Sequence, residues 1–497
     1  MDVVPRNERD SPLLNSSTRA LPAVVADSDA VPMGLPVTSD KPAASPSGGT
    51  FGRGSMWGTV FNTCAATLGA GALSLPHAIK GMGLVPGLVL LVIIAFATHY
   101  SIILIVGAIG ATNAPSFEEL SQIVFGRKTR LSVELAIIVF CFGTCIAYTT
   151  AVGDILEPLL SVDWMEQHMP WVTRKVAMVF FWTVFMLPLS FVEQMTSLQC
   201  TSLFGVLALV YLVTAVAIHF AFDAAANPQQ TIDKIQLANP SKDAISATSI
   251  IMFAFTCQVN IPSLYAELNE RTPQQMSRVS VRACVVCLLS YTVIGLTGYA
   301  NFPTSDQGNV LNNYCVLSPS KSAFEPHPPR VILPAFIAIT LTVLMAYPVN
   351  VFPCRYSLNM MLFSNTSRWT SRYRTVRHVG LTLGIAGLAL LIALVVPDIS
   401  VVFQLMGGTA SAYVCFLMPA ATAWRLRDRV PQMRTASGRA ACVGLFLVGL
   451  LVGVLSTAVT IDSLFDPPDP PFNPCNQTSL NGTTTLASYP YRGGPFF

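Results

Sequence analysis

The chain has 497 residues, of which 52% are apolar and only 11% are charged, with a formal net charge of +3. A soluble globular protein carries about 25% charged residues, so the composition excludes that class. The small positive excess is dispersed over loops, which argues against a nucleic-acid partner. Many apolar runs long enough to cross a bilayer follow one another, and they indicate an all-α polytopic membrane protein.

The chain divides into a polar N-terminal segment, a long apolar region and a polar C-terminal segment. Residues 1–54 are rich in Pro, Ser, Ala and Asp without the apolar core of a signal peptide, so we expect a disordered cytoplasmic tail. Residues 55–462 form the predicted membrane domain, and residues 463–497 an extracellular tail. Eleven transmembrane helices are predicted, at about residues 56–78, 84–109, 132–156, 174–191, 199–221, 246–266, 280–302, 331–353, 378–396, 400–423 and 440–462.

The placement of Lys and Arg predicts the orientation. With a cytoplasmic N-terminus, most of the 29 positive side chains fall in the N-terminal tail and the inner loops. An odd number of spans then places the C-terminus outside, and the sequons at Asn476 and Asn481 make both residues candidates for glycosylation. Cys315 and Cys475 also lie outside in this topology. A disulfide between them and two free thiols are both open interpretations.

The first predicted span contains the stretch Leu68–Pro76, with two glycines and a proline within nine residues. Such residues disfavour a continuous helix, and an interrupted backbone in a membrane needs protein or a water-filled cavity around it. Transporters built from broken helices bind substrate at such a break. The alternative is a close helix contact through small residues.

The sixth predicted span carries a second interruption. Polar Thr256, Gln258 and Asn260 precede Pro262 in the middle of this span. Breaks at matching positions of two halves indicate a transporter built from inverted repeats. We therefore predict one repeat at about residues 56–221, a second at about 246–423, and an extra helix at about 440–462.

The two breaks suit a small zwitterion. Backbone N–H groups near Gly69 and Gly71, at the positive end of a half-helix, favour a carboxylate. Freed carbonyls and hydroxyls of the sixth span can hold an ammonium group.

Four motifs in order resemble the amino acid/auxin permease family. They are Phe61–Pro76, Phe253–Leu268, Tyr148 with Gly153-Asp154, and Tyr347–Arg355. The composition of the tail and loops looks most like the amino acid permeases of trypanosomatid parasites. The resemblance covers about residues 55 to 462, and it implies an eleven-helix, LeuT-like fold of the five-plus-five inverted-repeat type. It also implies amino acid transport driven by protons or sodium.

The sequence departs from the family pattern at the positions that bear on coupling. Gln258 stands where many relatives carry His. Sodium-coupled relatives carry an Asn and a Thr at positions that align here with Ala65 and Ala346. We therefore favour a proton as coupling ion, or facilitated uptake, over sodium. Asp154 is the candidate proton relay or cation site, and a water-exposed helix end is its alternative.

The predicted substrate site is formed by residues of the two breaks and of spans three and eight. Its candidate residues are Thr67, Gly69, Ala70, Gly71, Ala72, Leu73, Tyr148, Phe253, Phe255, Thr256, Gln258, Tyr347 and Asn350. The alternative for these side chains is packing or hydrogen bonding between helices. Glu267 and Arg355, at predicted cytoplasmic helix ends, are weaker candidates for partners in an inner gate.

Three candidate functions make different demands on the sequence. A secondary transporter of neutral or cationic amino acids fits the breaks. A membrane-embedded enzyme would need clustered His, Asp or Glu at helical spacing, and the spans show none. An amino acid sensor that uses the same fold without flux is the remaining alternative. No cofactor or metal is expected. The predicted location is the plasma membrane, with an organelle membrane as the alternative.

Overall fold

The computed structural model describes residues 54–160, 168–169, 171–191, 199–226, 235–303, 307–314, 332–363 and 371–465. These residues form sixteen α-helices. In chain order they are α1 Met56–Thr67, α2 Leu75–Met82, α3 Leu84–Thr112, α4 Phe117–Phe125, α5 Arg127–Leu160, α6 Arg174–Phe181, α7 Leu187–Ser190, α8 Gln199–Ala226, α9 Asp243–Ala254, α10 Ile261–Glu267, α11 Pro273–Asn301, α12 Ile332–Phe363, α13 Ser371–Ala393, α14 Ile399–Met406, α15 Met418–Arg425 and α16 Ala436–Phe465. The predicted N-terminal tail, the Cys315–Cys475 pair and the sequons at Asn476 and Asn481 lie outside the described residues.

Nine helical segments of the described chain are long and apolar enough to cross a membrane. They are Leu84–Thr112, Arg127–Glu157, Leu203–Phe222, Asp243–Glu267, Pro273–Asn301, Ile332–Phe363, Thr375–Ala393, Ile399–Arg425 and Ala436–Phe465. The predicted first and fourth spans are present as the shorter helices α1–α2 and α6–α7. The count of eleven spans therefore stays a prediction.

Several helices extend beyond the predicted spans. The third span was predicted at residues 132–156, whereas α5 covers Arg127–Leu160. The eighth was predicted at residues 331–353, whereas α12 continues to Phe363. The predicted ends followed the apolar pattern, and helical hydrogen bonding continues into the polar residues beyond it.

The bundle has an apolar exterior and a partly polar interior. Large apolar side chains point outward on several helices, among them Phe96, Leu391 and Val454, which are 68%, 63% and 61% exposed. Side chains such as Gln258 and Asp154 are instead almost fully buried. Hydrocarbon surrounds a membrane protein, so this arrangement confirms an integral membrane protein.

The two broken helices run antiparallel, side by side. The second half of the first, α2, packs against the first half of the second, α9, while α1 contacts α10. Pro76 and Pro262 lie in the first turn of α2 and α10, where a missing N–H leaves no intrahelical bond unmade. The prolines therefore begin the second half of each broken helix, and each interruption lies just before them.

The bundle has two faces, defined by the first broken helix. The first face is the side where α1 begins at Met56, and the second face is the side where α2 ends at Met82. The Asn269 N–H donates to the Gly54 carbonyl (3.0 Å), so α10 ends at the first face. The Asn239 N–H donates to the Met82 carbonyl (2.9 Å), so α9 begins at the second face. The predicted orientation makes the first face cytoplasmic.

Candidate functional site

The first break separates α1 from a short 3-10 helix, Ala70–Ser74. The Leu68 N–H makes the last α-helical bond, to the Cys64 carbonyl at 2.7 Å, and Gly69 is extended at φ −137° and ψ −160°. A helix leaves its last carbonyls and the first N–H groups of the next helix without intrahelical partners. The chain therefore presents acceptors on one side of Gly69 and donors on the other.

The second break has the same construction. Helix α9 ends at Ala254, and a 3-10 turn, Gln258–Asn260, precedes α10. The buried hydroxyl Oη of Tyr291 on α11 connects the two breaks, because it donates toward the carbonyls of Thr67 and Ala254, each at 2.8 Å. One side chain thus ties together the ends of α1 and α9.

The two glycines of the first break have different roles. A Cβ on Gly71 would lie 3.0 Å from Ala254 Cα and 3.4 Å from the Phe253 ring, so the missing side chain allows the two broken helices to touch. A Cβ on Gly69 would meet only Tyr148 Oη, at 4.0 Å. Gly71 therefore serves packing, whereas Gly69 borders open space beside a hydroxyl.

The two aromatic residues of α9 and its end have different neighbours. Phe253 is 9% exposed and stacks on Phe403 of α14, with ring centroids 4.5 Å apart and planes 20° apart. It also approaches Phe140 of α5 at 5.7 Å. Phe255 packs edge-on against Tyr291, with centroids 5.0 Å apart. The structure therefore places only Phe253 against the first break, and Phe255 supports the tyrosine that joins both breaks.

The polar residues of the second break are buried against a π-helical segment, Gly407–Leu417. Gln258 is fully buried, and its Oε1 accepts from the Cys257 N–H and from Cys415 Sγ, both at 2.9 Å. Among the described residues its Nε2 has no hydrogen-bond partner. Thr256 Oγ1 donates to the Met252 carbonyl (3.0 Å) and lies 3.6 Å from Cys415 Sγ. The π-helical turns bring Cys415 to these polar groups.

Tyrosines from α5 and α12 line the same region. Tyr148 is half-buried beside Gly69, and the Asn350 side chain hydrogen-bonds to it. Asn350 Nδ2 also donates to the Ala346 carbonyl at 3.1 Å. Tyr347 is fully buried, and its hydroxyl accepts from Trp182 Nε1 at 3.4 Å. Tyr148 and Asn350 thus lie beside the first break, whereas Tyr347 lies toward α6.

The remaining predicted site residues surround the first break. Thr67 Oγ1 donates to the Thr63 carbonyl on its own helix at 2.8 Å. Ala72 and Leu73 are 0% and 1% exposed, and Ala70 is half-buried. Their side chains therefore form the wall behind the backbone rather than a polar surface.

Asp154 lies in a buried ion pair toward the second face. It is 2% exposed, and its Oδ1 accepts from Arg174 Nη2 at 2.6 Å and from Arg174 Nε at 3.2 Å. Glu157 Oε2 lies 3.8 Å from the same Nε. Oδ2 of Asp154 is buried without a hydrogen-bond partner among the described residues. Burial of Asp154 means that the alternative of a water-exposed helix end was wrong.

A third carboxylate lies near this pair and caps α14. Asp398 accepts from the Ser400 N–H at 2.8 Å and from the Gly308 N–H at 3.0 Å. Asp154 and Asp398 are close enough to interact electrostatically. The second face thus gathers three carboxylates, two of which lie within 4 Å of the Arg174 guanidinium.

Five functional candidates were missed from the sequence. A lone tyrosine, an aromatic or a cysteine within an apolar span is usually a packing residue, so nothing marked them. Only Arg174 had a signal, as a charged residue at the predicted start of a span, where an acid of the neighbouring helix can pair with it. The five are Tyr291, Phe403, Cys415, Trp182 and Arg174.

Two antiparallel broken helices, joined at one tyrosine and packed through small residues, define a secondary-transporter fold of the inverted-repeat type. A solved structure described as MhsT in complex with L-phenylalanine has the same fold, with a TM-score of 0.54. The match covers 81% of this chain and 98% of that chain at 10% sequence identity, so it shows the fold alone.

The family model described as transmembrane amino acid transporter protein matches residues 52–462, and the chain belongs to this family. Amino acid transporter AVT6E of Arabidopsis thaliana is 26% identical over 82% of this chain and 83% of its own length. Vacuolar amino acid transporter 5 of Schizosaccharomyces pombe is 26% identical over 83% of this chain and 96% of its own. A putative sodium-coupled neutral amino acid transporter 11 of Rattus norvegicus is 24% identical over 82% of this chain and 86% of its own length.

Proposed function

We propose that this chain is a secondary active transporter that moves amino acids across a membrane by alternating access. The observation that carries the proposal is the pair of breaks joined by Tyr291, with Gly69 open toward Tyr148. Such a site offers donors and acceptors of the main chain at the centre of the bundle. Membership of the amino acid transporter family supports the substrate class.

The substrate lies between the two breaks in this proposal. Its carboxylate binds the N–H groups of Ala70 and Gly71, at the start of the 3-10 helix, since the Ala72 N–H already donates to the Gly69 carbonyl at 3.1 Å. Its ammonium group binds carbonyls near Thr67 and Ala254, and its side chain extends toward Phe253. The substrate is a neutral or cationic amino acid.

The proposed coupling ion is a proton, with uptake without coupling as the alternative. Ala65 and Ala346 have no side-chain oxygen to offer sodium at the two positions where sodium-coupled relatives carry Asn and Thr. Asp154 is the proposed proton carrier, since one of its oxygens lacks a hydrogen-bond partner among the described residues. Its ion pair with Arg174 gives it a partner that would compensate its charge.

The proposed location is the plasma membrane, with a cytoplasmic N-terminus and an extracellular C-terminus. An organelle membrane is the alternative, and the name of the Schizosaccharomyces pombe relative, a vacuolar transporter, supports it.

Uptake into proteoliposomes tests the proposal. A panel of labelled amino acids is presented with and without an inward pH gradient, and with and without sodium. We expect accumulation of at least one neutral or cationic amino acid, stimulated by the pH gradient and independent of sodium. Binding of an amino acid without any flux would instead support a sensor. No binding and no flux in correctly folded protein would overturn the proposed substrate class.

A further inference from the structure

Four cysteines gather beside the two breaks. They come from α1, from the second break and from α11, and their thiols are close enough to interact electrostatically: Cys64, Cys257, Cys284 and Cys287. All nine cysteines that the structure describes are free. The proposed function gives none of these four thiols a role.

Two of the four thiols are in direct contact. Cys64 Sγ lies 3.9 Å from the Ala283 carbonyl oxygen, and Ala283 is one helical turn before Cys287 on α11. The side chains of Cys64 and Cys287 hydrogen-bond to each other. Both are buried, with 5% and 1% of their surface exposed. Hydrogen-bonded thiols on two packed helices are placed for a disulfide, which needs side chains that point toward each other.

Other thiols of the described chain bond to oxygen atoms. Cys257 hydrogen-bonds to the side chain of Thr67, and Cys442 Sγ donates to the Ala420 carbonyl at 3.3 Å. The pair between α1 and α11 is therefore the one place in the described part of the chain where two thiols hydrogen-bond to each other.

The pair lies one helical turn from the Tyr291 bridge, on the side of the first face. Cys64 precedes Thr67 by three residues, and Cys287 precedes Tyr291 by four. Tyr291 connects the end of α1 to α11 by a hydrogen bond, which forms and breaks reversibly. A disulfide between Cys64 and Cys287 would connect the same two helices by a covalent bond.

Movement of α1 decides when the pair meets solvent, and this step rests on the proposed function. Helix α1 lies between the first face and the first break, so a site that opens toward that face has to move α1 relative to α11. The opened form admits water and small solutes to thiols that are buried when the two helices are packed. The first face is predicted to be cytoplasmic, and disulfides of cytosolic proteins are usually transient and catalytic or redox-sensing.

We propose that Cys64 and Cys287 form a reversible disulfide that locks α1 against α11 and stops transport under oxidising conditions. The oxidant is a peroxide, such as hydrogen peroxide. With α1 moved away, the Cys64 thiol gives its proton to water and the thiolate attacks one peroxide oxygen. The O–O bond breaks, hydroxide leaves and takes up a proton, and the sulfur becomes a sulfenic acid.

The second step closes the lock. When α1 returns, the Cys287 thiolate attacks the sulfenic sulfur, the S–S bond forms, and the S–O bond breaks to release hydroxide, which is protonated to water. The two thiols together lose two electrons and two protons, and one hydrogen peroxide is reduced to two waters. A dithiol reverses the lock by thiol–disulfide exchange.

Peptide mass spectrometry of the full chain in nanodiscs tests the chemistry independently of transport. The folded protein is treated with hydrogen peroxide, remaining thiols are blocked with N-ethylmaleimide, and the digest is searched for a peptide joined through Cys64 and Cys287. We expect this linked peptide after peroxide and its loss after dithiothreitol. Peroxide treatment that leaves both thiols free, or that oxidises them without linking them, overturns the proposal.

Uptake in proteoliposomes tests the lock itself. Peroxide should abolish uptake of a labelled amino acid by the parent, and dithiothreitol should restore it. Cys64→Ala and Cys287→Ala should each keep the uptake of their own untreated sample. Cys442→Ala removes a buried thiol from α16 and should stay as sensitive as the parent.

Two outcomes separate the lock from the proposed function. Equal peroxide sensitivity of the parent and of both Cys64→Ala and Cys287→Ala would overturn the lock. A parent without uptake before any treatment would contradict the proposed function instead, and the linked peptide would still decide whether the disulfide forms.

Discussion

Two glycines of the first break differ in role: Gly71 serves packing, and Gly69 borders the proposed binding site. Gly71 lies against the main chain of α9, and a Cβ there would be 3.0 Å from Ala254 Cα, so a larger side chain presses the two broken helices apart. A Gly71 variant that loses transport therefore does not distinguish a blocked site from a damaged fold. Gly69 has room for a methyl group, and its extended backbone suits any L-residue. Gly69 is therefore the more informative position for a substitution that tests substrate binding.

Gly69→Ala is expected to lower amino acid uptake by roughly tenfold or more while the protein still folds. One added carbon in a fitted site alters binding by about 1–3 kcal/mol. The measurement is initial uptake in proteoliposomes, normalised to inserted protein. Gly384→Ala on α13 is the control, because no atom lies within 4 Å of a Cβ there. Unchanged uptake by Gly69→Ala would exclude this backbone as the carboxylate site.

Tyr291→Phe is expected to lower thermal stability and to weaken substrate binding together. The change removes the single hydroxyl hydrogen, which can bond to only one of the two carbonyls at a time, and an unsatisfied buried carbonyl costs about 1–3 kcal/mol. Thermal unfolding and substrate affinity of the purified protein are the two measurements. Tyr373→Phe, at an exposed tyrosine, is the control. Parent-like values for Tyr291→Phe would show that the hydroxyl does not join the breaks.

At the scale of helices, the interruptions were predictable and their partners were not. Gly69, Pro76 and Pro262 mark the breaks because backbone preferences are local. The Tyr291 bridge depends on how α11 packs across both broken helices, and an isolated tyrosine in an apolar span carries no sign of that contact. The π-helical segment beside Gln258 was missed for the same reason. The Asp154 motif was visible, but its partner Arg174 lies in a different helix.

The Asp154–Arg174 ion pair links α6 to α5. We expect the stability changes caused by substituting its two residues to be strongly non-additive. Removing one partner of a buried pair costs about 3–5 kcal/mol, since the other charge stays buried alone. Asp154→Asn and Arg174→Gln should each lower the melting temperature more than the double variant does. Thermal unfolding of all four proteins gives the coupling. Additive losses would show that the two groups do not interact in the membrane.

At the scale of the whole molecule, the fold is established while its direction in the membrane rests on the distribution of charge. Lys242 is 83% exposed at the second face, near the start of α9, and Arg427 is 57% exposed on the α15–α16 connection at the first face. The two positions therefore report on opposite sides of the bilayer. Both are exposed enough that a substitution should leave the fold intact.

Cysteine labelling tests the predicted orientation. Lys242→Cys in intact cells should react with an impermeant maleimide, whereas Arg427→Cys should react only after permeabilisation. Both changes are made in a background with Cys315→Ser and Cys475→Ser, because these two thiols are predicted to be extracellular. The reverse pattern would place the N-terminus outside. Labelling of neither position in intact cells would point to an organelle membrane.

The Tyr291 hydroxyl faces more hydrogen-bond acceptors than it can satisfy. It has one hydrogen, and it faces the two carbonyl oxygens of Thr67 and Ala254 at equal distances. The hydroxyl can therefore make a full hydrogen bond to only one of these oxygens at a time. An ammonium group has three hydrogens and completes the set. We expect bound substrate to link α1 and α9 at the same time by supplying further hydrogen-bond donors, whereas without substrate the Tyr291 hydroxyl bonds to one of the two helices at a time.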